Sequence, residues 1–142
     1  MKVKSEFIIL KHFAKKAGEH WDIRVKQPTT DIFDSYATRK EIPTEPGTKI
    51  LCFYTTPHTR KEAYYTGKIE QGYGAGTLKE WDSGSCDILK YSERHIVIDF
   101  HGQKIKGVYH FIYIKFDDKH KQKSYLFFKG KSNDVDYDKL KG

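Results

Sequence analysis

A chain of 142 residues suffices for one domain with one substantial core, and 26 Lys and Arg against 19 Asp and Glu leave a formal charge of +7. That balance favours a polyanionic partner, with nucleic acid ahead of an anionic membrane surface. No apolar run approaches the ~20 residues needed to span a bilayer, the stretch Met1–Ser5 lacks a signal-peptide apolar region, and Cys52 and Cys86 form neither a disulfide framework nor a metal knuckle, so no membrane association and a reducing cytoplasm are expected.

The elements follow one another as short strands punctuated by turn residues, and an aromatic content of 15%, mostly Tyr and Phe, suits pleated surfaces. Strands are expected at residues 6–11, 20–26, 32–38, 49–55, 76–81, 87–91, 95–100, 104–115 and 124–129. The turns between them carry Pro, Gly or Asp: Gln27-Pro28-Thr29-Thr30, Thr44-Glu45-Pro46-Gly47, Asp82-Ser83-Gly84 and His101-Gly102-Gln103. Only Phe13–Glu19 and Thr59–Tyr65 have room for a helical turn or two. Asp117–Lys123 reads as a charged hairpin tip. The fold class is therefore mainly all-β, a compact sandwich or barrel with short helical turns. It is organised as one domain over residues 1–131 and a polar tail over residues 132–142.

The second strand carries most of the chemistry. His20-Trp21-Asp22-Ile23-Arg24-Val25 alternates without a break, so Trp21, Ile23 and Val25 face a core and His20, Asp22 and Arg24 share the opposite face. At a rise of roughly 3.3 Å per residue these three stand about 6.5–7 Å apart. An imidazole, a carboxylate and a guanidinium there can hold a metal ion and a phosphate; a salt-bridged, solvated strand face is the alternative. His12 ends the apolar run Phe7–Leu10, and if the first two strands are neighbours it joins His20 and Asp22. Two imidazoles and a carboxylate suit a divalent first-row metal such as manganese, zinc or iron, with positions left open for water and substrate.

His58, after Pro57, is expected on a loop, as a catalytic group or an ordinary surface histidine. His95, His101 and His110 have no acidic partner at ligand spacing along the chain, and His120 sits in the charged tip. Gln71-Gly72-Tyr73-Gly74-Ala75-Gly76 has the look of a dinucleotide fingerprint, but that motif must open a helix, and here Thr77-Leu78-Lys79-Glu80-Trp81 alternates like a strand. Its glycines are better read as a tight turn.

The ordered series Lys11-His12, His20-Trp21-Asp22-Ile23-Arg24, Ser35-Tyr36-Ala37, His58, Gly72-Tyr73-Gly74-Ala75-Gly76, Trp81-Asp82-Ser83-Gly84, Gly102-Gln103-Lys104-Ile105-Lys106-Gly107 and Leu126-Phe127-Phe128-Lys129-Gly130 resembles the 3′-phosphoesterase domain of DNA ligase D, over about residues 6 to 130. The resemblance implies a β-barrel with a groove for the 3′ end of a DNA primer. It also implies manganese-dependent removal of a 3′-ribonucleoside and then a 3′-phosphate during break repair by non-homologous end joining. By the same resemblance His12, His20 and Asp22 match metal ligands, with Mn(II) expected and Zn(II) or another first-row metal as alternatives. Arg24 matches an arginine on the reacting phosphate, Lys40 a groove lysine, and His58 a histidine that binds phosphate or acts as an acid.

The sequence departs from that pattern in three ways. The spacing from His12 to His20 is two residues longer than usual. Ile50, with Lys49 beside it, stands where the family has an arginine eight residues before its later histidine. An arm ahead of the first strand, which supplies further charged residues in the family, has no counterpart here, and a stand-alone form working beside a separate ligase or polymerase is expected. These departures motivate an alternative of another class, a non-catalytic nucleic-acid-binding barrel that keeps the groove. A metal-dependent hydrolase of a small phosphorylated molecule is a third.

Overall fold

The computed structural model describes residues 1–16, 18–70, 72 and 75–131. The polar tail over residues 132–142 lies outside them, as do Gln71, Tyr73 and Gly74 of the glycine-rich turn.

Period-2 patterning resolves into nine strands: β1 (Val3–Ala14), β2 (Gly18–Lys26), β3 (Phe33–Thr38), β4 (Ile50–His58), β5 (Gly67–Ile69), β6 (Gly76–Tyr91), β7 (His95–His101), β8 (Lys106–Asp117) and β9 (Gln122–Lys129). All neighbours are antiparallel. The order β1-β2-β3-β4-β9-β8-β7-β6 closes on itself through pairing of β6 with β1, so eight strands make a barrel and β5 is attached to β6 outside it. Closure removes the free sheet edges that would otherwise template aggregation. Among the described residues no helix is long and apolar enough to cross a membrane.

Alternate residues fill the interior. Phe7 and Ile9 of β1, Ile23 and Val25 of β2, Ile98 and Phe100 of β7, and Tyr109 and Phe111 of β8 are buried in one core. Full burial of each such side chain contributes roughly 1.5–3 kcal/mol. Edge-to-face packing of Phe7 on Phe100, with centroids 4.9 Å apart, ties β1 to β7 across the intervening β6.

A second, smaller cluster lies on the outer face of β1 and β6, where Ile8, Leu10 and Leu78 are covered by Tyr64 and Ile69. Those covers belong to the segment after β4, which begins with the single helical turn α1 (Arg60–Ala63). Thr59 caps it: its side chain accepts from the Glu62 amide at 3.3 Å, and the Glu62 carboxylate accepts from the Thr59 amide at 2.8 Å. Arg60 pins the turn to Glu6 and, at 2.9 Å, to Asp31.

Three expectations are corrected. Among the described residues of Phe13–Glu19 there is no helical turn; Phe13 and Ala14 extend β1, Gly18 and Glu19 begin β2, and the two strands pair antiparallel. Asp82-Ser83-Gly84 is not a turn either, because the two strands expected around it are one 16-residue strand, β6. That strand carries a bulge facing Ile9 and Leu10, and it pairs with β1 over residues 76–88 and with β7 over residues 85–91. His58 ends β4 instead of sitting on a loop. The glycine-rich segment does lead into a strand: Gly76 opens β6 so close to β1 that an added Cβ would lie 1.9 Å from the Phe13 carbonyl oxygen.

Asp82 accounts for two of the motifs at once. Its carboxylate accepts from the amides of Ser83 at 2.9 Å, Gln103 at 3.1 Å, and Lys104 and Ile105 at 2.8 Å each. The β7–β8 connection thus folds around a side chain of β6, and β8 begins at Lys106, later than the alternation suggests. Gly102 is required there because a Cβ would meet the Asp82 carboxylate at 2.3 Å. Burial pushes the Asp82 carboxyl up, but the four amides outweigh it and hold it below the usual carboxylate range. A depressed folded-state value contributes stability above the unfolded-state value, and that contribution is lost as pH falls through the folded one. Asp82→Asn is therefore expected to cost about 1.5–3 kcal/mol at neutral pH and to flatten the acid limb of the stability curve. Urea unfolding at pH 7 and pH 4 measures both; an unchanged midpoint at pH 7 would show that the amides do not depend on the charge.

Candidate metal centre and groove

The antiparallel register of β1 and β2 sets His12 directly opposite His20, and Leu10 opposite Asp22. Side chains of directly opposed residues leave the sheet on the same side. His12, His20 and Asp22 thus converge on the outer wall, away from the barrel core. His12 Nδ1 lies 3.1 Å from His20 Nε2. Asp22 Oδ2 lies 3.7 Å from His12 Nδ1, and Asp22 Oδ1 lies 3.5 Å from His20 Nε2.

These separations fit a cation. Ligand bonds of ~2.1 Å place neighbouring donors about 3.0 Å apart at right angles and about 3.4 Å apart in a tetrahedron. The donor set is two imidazole nitrogens and a carboxylate on one side of the point they surround, which leaves the other side open. Burial pushes the Asp22 carboxyl up, but His12, His20 and the charge of Arg24 together hold it well below the usual range. It is an anion, as a metal ligand must be.

Arg24 follows Asp22 on the same face but is packed beneath α1. Its Nη1 donates to the carbonyls of Glu62 and Ala63 at 3.0 Å each, and its Nη2 stands 3.8 Å from Asp22 Oδ2. Its Nε is buried without a hydrogen-bond partner among the described residues. The cation is thus anchored at the last carbonyls of a helical turn and turned toward the carboxylate. His58 lies beyond it, with Nδ1 4.0 Å from Glu62 Oε1. Burial and then the charge of Arg24 push the His58 imidazole down, so it is mostly neutral at pH 7.

From His12 and His20 a groove of about 540 Å³ runs outward past Lys40 to Leu51, Phe53 and His120. It brings Lys40, 28 residues from His12 in the chain, to the same opening, whereas Arg24 and His58 stand beside the centre rather than in the groove lining. Leu51, Phe53 and His120 were not singled out in the sequence as site residues. The signal for the first two is the alternation Ile50-Leu51-Cys52-Phe53: Ile50 and Cys52 are buried in the barrel core, which sends Leu51 and Phe53 outward. Ile50 therefore does not line the groove, and Lys49 stacks on Phe128, with its Nζ 4.6 Å from the ring centroid. His120 reaches the groove because β9 pairs with β4, Phe53 opposite Ser124, which sets the β8–β9 turn beside Phe53.

His101, read from chain spacing as lacking an acidic partner, has two. Register across β6 and β7 brings its Nε2 to 2.9 Å from Asp87, and Asp99, two residues earlier on β7 itself, lies 4.0 Å away. This set lies on a different stretch of the wall, with His101 exposed.

The description of the DNA ligase D 3′-phosphoesterase domain fits residues 10–113 of the chain. Among curated proteins, the multifunctional non-homologous end joining DNA repair protein LigD of Mycobacterium tuberculosis is 31% identical over 108 residues, covering 72% of this chain and 14% of the relative. The LigD protein of Mycolicibacterium smegmatis is 30% identical over 122 residues, 78% of this chain and 16% of its own. That of Pseudomonas aeruginosa is 30% identical over 112 residues, 75% and 13% respectively. The matched region thus spans about a seventh of the length of these relatives.

Manganese at 100 times its dissociation constant is expected to raise stability by about 2.7 kcal/mol, read as an upward shift in Tm. Asp22→Ala should abolish the shift and His101→Ala should leave it intact. A shift lost in His101→Ala and kept in Asp22→Ala would assign the ion to the other wall.

Proposed function

The chain belongs to the DNA ligase D 3′-phosphoesterase domain family, and on that premise we propose that it is a divalent-metal-dependent hydrolase healing DNA 3′ ends in non-homologous end joining. The substrates are a 3′-terminal ribonucleoside, a 3′-phosphate or both, and the product is a 3′-hydroxyl that a ligase or polymerase can use. Manganese is the expected ion, and action on DNA goes with a cytoplasmic location. The observation that carries this reading is the convergence of His12, His20 and Asp22 at the head of a groove whose rim bears Lys40.

When bound, a divalent cation polarises the phosphoryl oxygen and lowers the pKa of a coordinated water. The rest falls to side chains of this chain. Asp22 and the two imidazoles hold the ion and fix the side from which substrate approaches. Arg24, its Nη1 secured by the α1 carbonyls, turns Nη2 toward the phosphate position and offsets the charge that builds in the transition state. Lys40 draws the polyanion to the groove as a point charge. As water oxygen bonds to phosphorus and the phosphorus–oxygen bond to the leaving group breaks, His58 donates a proton to the departing oxygen. Mostly neutral in the free protein, the imidazole gains its proton from solvent when the negative charge of the substrate phosphate arrives beside it.

A labelled primer–template tests this, with one primer ending in a 3′-phosphate and another in a single 3′-ribonucleotide. Conversion should require manganese and stop with chelator. It should fall more than about 100-fold in Asp22→Ala, the loss already seen for groups that only hydrogen-bond to a ligand. His58→Ala should lower turnover about 10²–10⁴-fold if the imidazole is the acid. Salt-sensitive DNA binding without conversion of either primer would replace the hydrolase with a non-catalytic nucleic-acid-binding barrel.

A further inference from the structure

The far end of the groove has a composition that metal and phosphate chemistry do not account for. Across the wall, Asp22 of β2 is paired with Ala37 of β3, and Ala37 with Phe53 of β4. These three form one cross-strand row on the outer face. With neighbouring strands about 4.8 Å apart, the Phe53 backbone lies roughly 10 Å from that of Asp22. Ala37, with only a methyl group, leaves the space between them open. Leu51, 44% exposed, extends the apolar floor. The His120 ring, on the hairpin tip, approaches the Phe53 ring to 6.0 Å at 50°, so the two make one ring-lined wall. Lys40 and Arg39 also line the groove, where charge complements a phosphate backbone. A volume of about 540 Å³ lies within the roughly 300–1,000 Å³ of small-ligand sites.

We infer that Phe53, walled by His120, is a stacking platform for the terminal nucleobase of the strand whose 3′ phosphoester sits at His12, His20 and Asp22. This rests on the 3′-end reading above and adds to it how the reacting end is positioned. One nucleotide bridges the distance from a phosphate at the head of the groove to a ring two strands away. The platform formed by Leu51 and Phe53 has no hydrogen-bonding group, so it accepts every base alike, as stacking sites do because each base has a π-face. An end-healing site has to tolerate any terminal sequence, and stacking on a side chain meets that need where base-edge hydrogen bonds would not. It also holds the end without contacting the reacting atoms, so Phe53 is a positioning residue.

The test uses primer–templates with 2-aminopurine at the 3′-terminal position, at an internal position, or replaced by an abasic residue, each ending in a 3′-phosphate. Binding is followed in chelator by fluorescence quenching and anisotropy, and turnover is followed with manganese. Wild-type protein should quench the terminal label and leave the internal one unchanged. Phe53→Ala should lose the quench, weaken binding about tenfold and raise KM by a similar factor with little change in kcat. Phe53→Tyr, which keeps a ring, should restore both, and the abasic primer should bind wild-type protein as weakly as the base-bearing primer binds Phe53→Ala. His120→Ala, at an exposed hairpin tip where folding is not at stake, should reduce the quench. Equal loss in Phe53→Ala on abasic and base-bearing ends, or quenching of the internal label instead, would place the base elsewhere and overturn the inference. A terminal quench that depends on Phe53, in a protein that converts neither primer, would keep the platform while removing the hydrolase. Turnover with a KM indifferent to Phe53 would do the reverse.

Discussion

β1 is hydrogen-bonded along both of its edges, to β2 on one side and to β6 on the other, and it cannot slide against either without breaking two ladders at once. A slip of one residue would also send Phe7 and Ile9 out of the barrel and Ile8 and His12 into it, because the side-chain period of a strand is two. Register is therefore held by the core, and the core places His12 opposite His20. The candidate metal centre is in this sense a by-product of closing the barrel: the geometry of the donors is enforced by several apolar residues on the far side of the same strands.

The outer face of those strands is not a solvated surface. Ile8, Leu10 and Leu78 are covered by Tyr64 and Ile69, and the connection that covers them is fastened through Arg24 beneath its helical turn and Arg60 at its start. This cover makes the site electrostatically unlike an exposed strand. Asp22 stays ionised though buried, since imidazoles and a guanidinium surround it, while His58 stays neutral beside the same guanidinium. The arrangement thus sets an anion and a neutral imidazole beside one buried guanidinium. Arg24 takes part in both layers, bonded to main-chain carbonyls with one nitrogen and facing the site with another.

Asp82 shows how a motif can belong to the scaffold while being as prominent in the chain as a catalytic one. Trp81-Asp82-Ser83-Gly84 and Gly102-Gln103-Lys104-Ile105 stand 18 residues apart and meet through one carboxylate and four amides. Nothing in either stretch alone distinguishes that role from ligand binding. The Asp87, Asp99 and His101 set poses the opposite case, combining carboxylates and an imidazole as the metal centre does, yet lying on another stretch of wall with its histidine exposed.

Alternation along the chain by itself determined that the protein is mainly all-β, a sandwich or a barrel, which residues face its interior, and that His20, Asp22 and Arg24 share one side of a strand, because a period of two is local and needs no partner to be read. It also contained the capped turn after Thr59, whose Thr-x-x-Glu spacing is a local hydrogen-bonding device. What the chain could not show is which strands are neighbours and where a strand bends. β6 runs through Asp82-Ser83-Gly84 because pairing with β1 and β7 outweighs the local preference of those residues for a turn. His101 meets Asp87 across the β6–β7 pairing, and His120, in the β8–β9 turn, meets Phe53 of β4 from 67 residues away in the chain. Such contacts depend on the closed sheet as a whole, and so the tertiary structure alone decided the groove, the burial of Arg24 and the ring-lined wall at its far end.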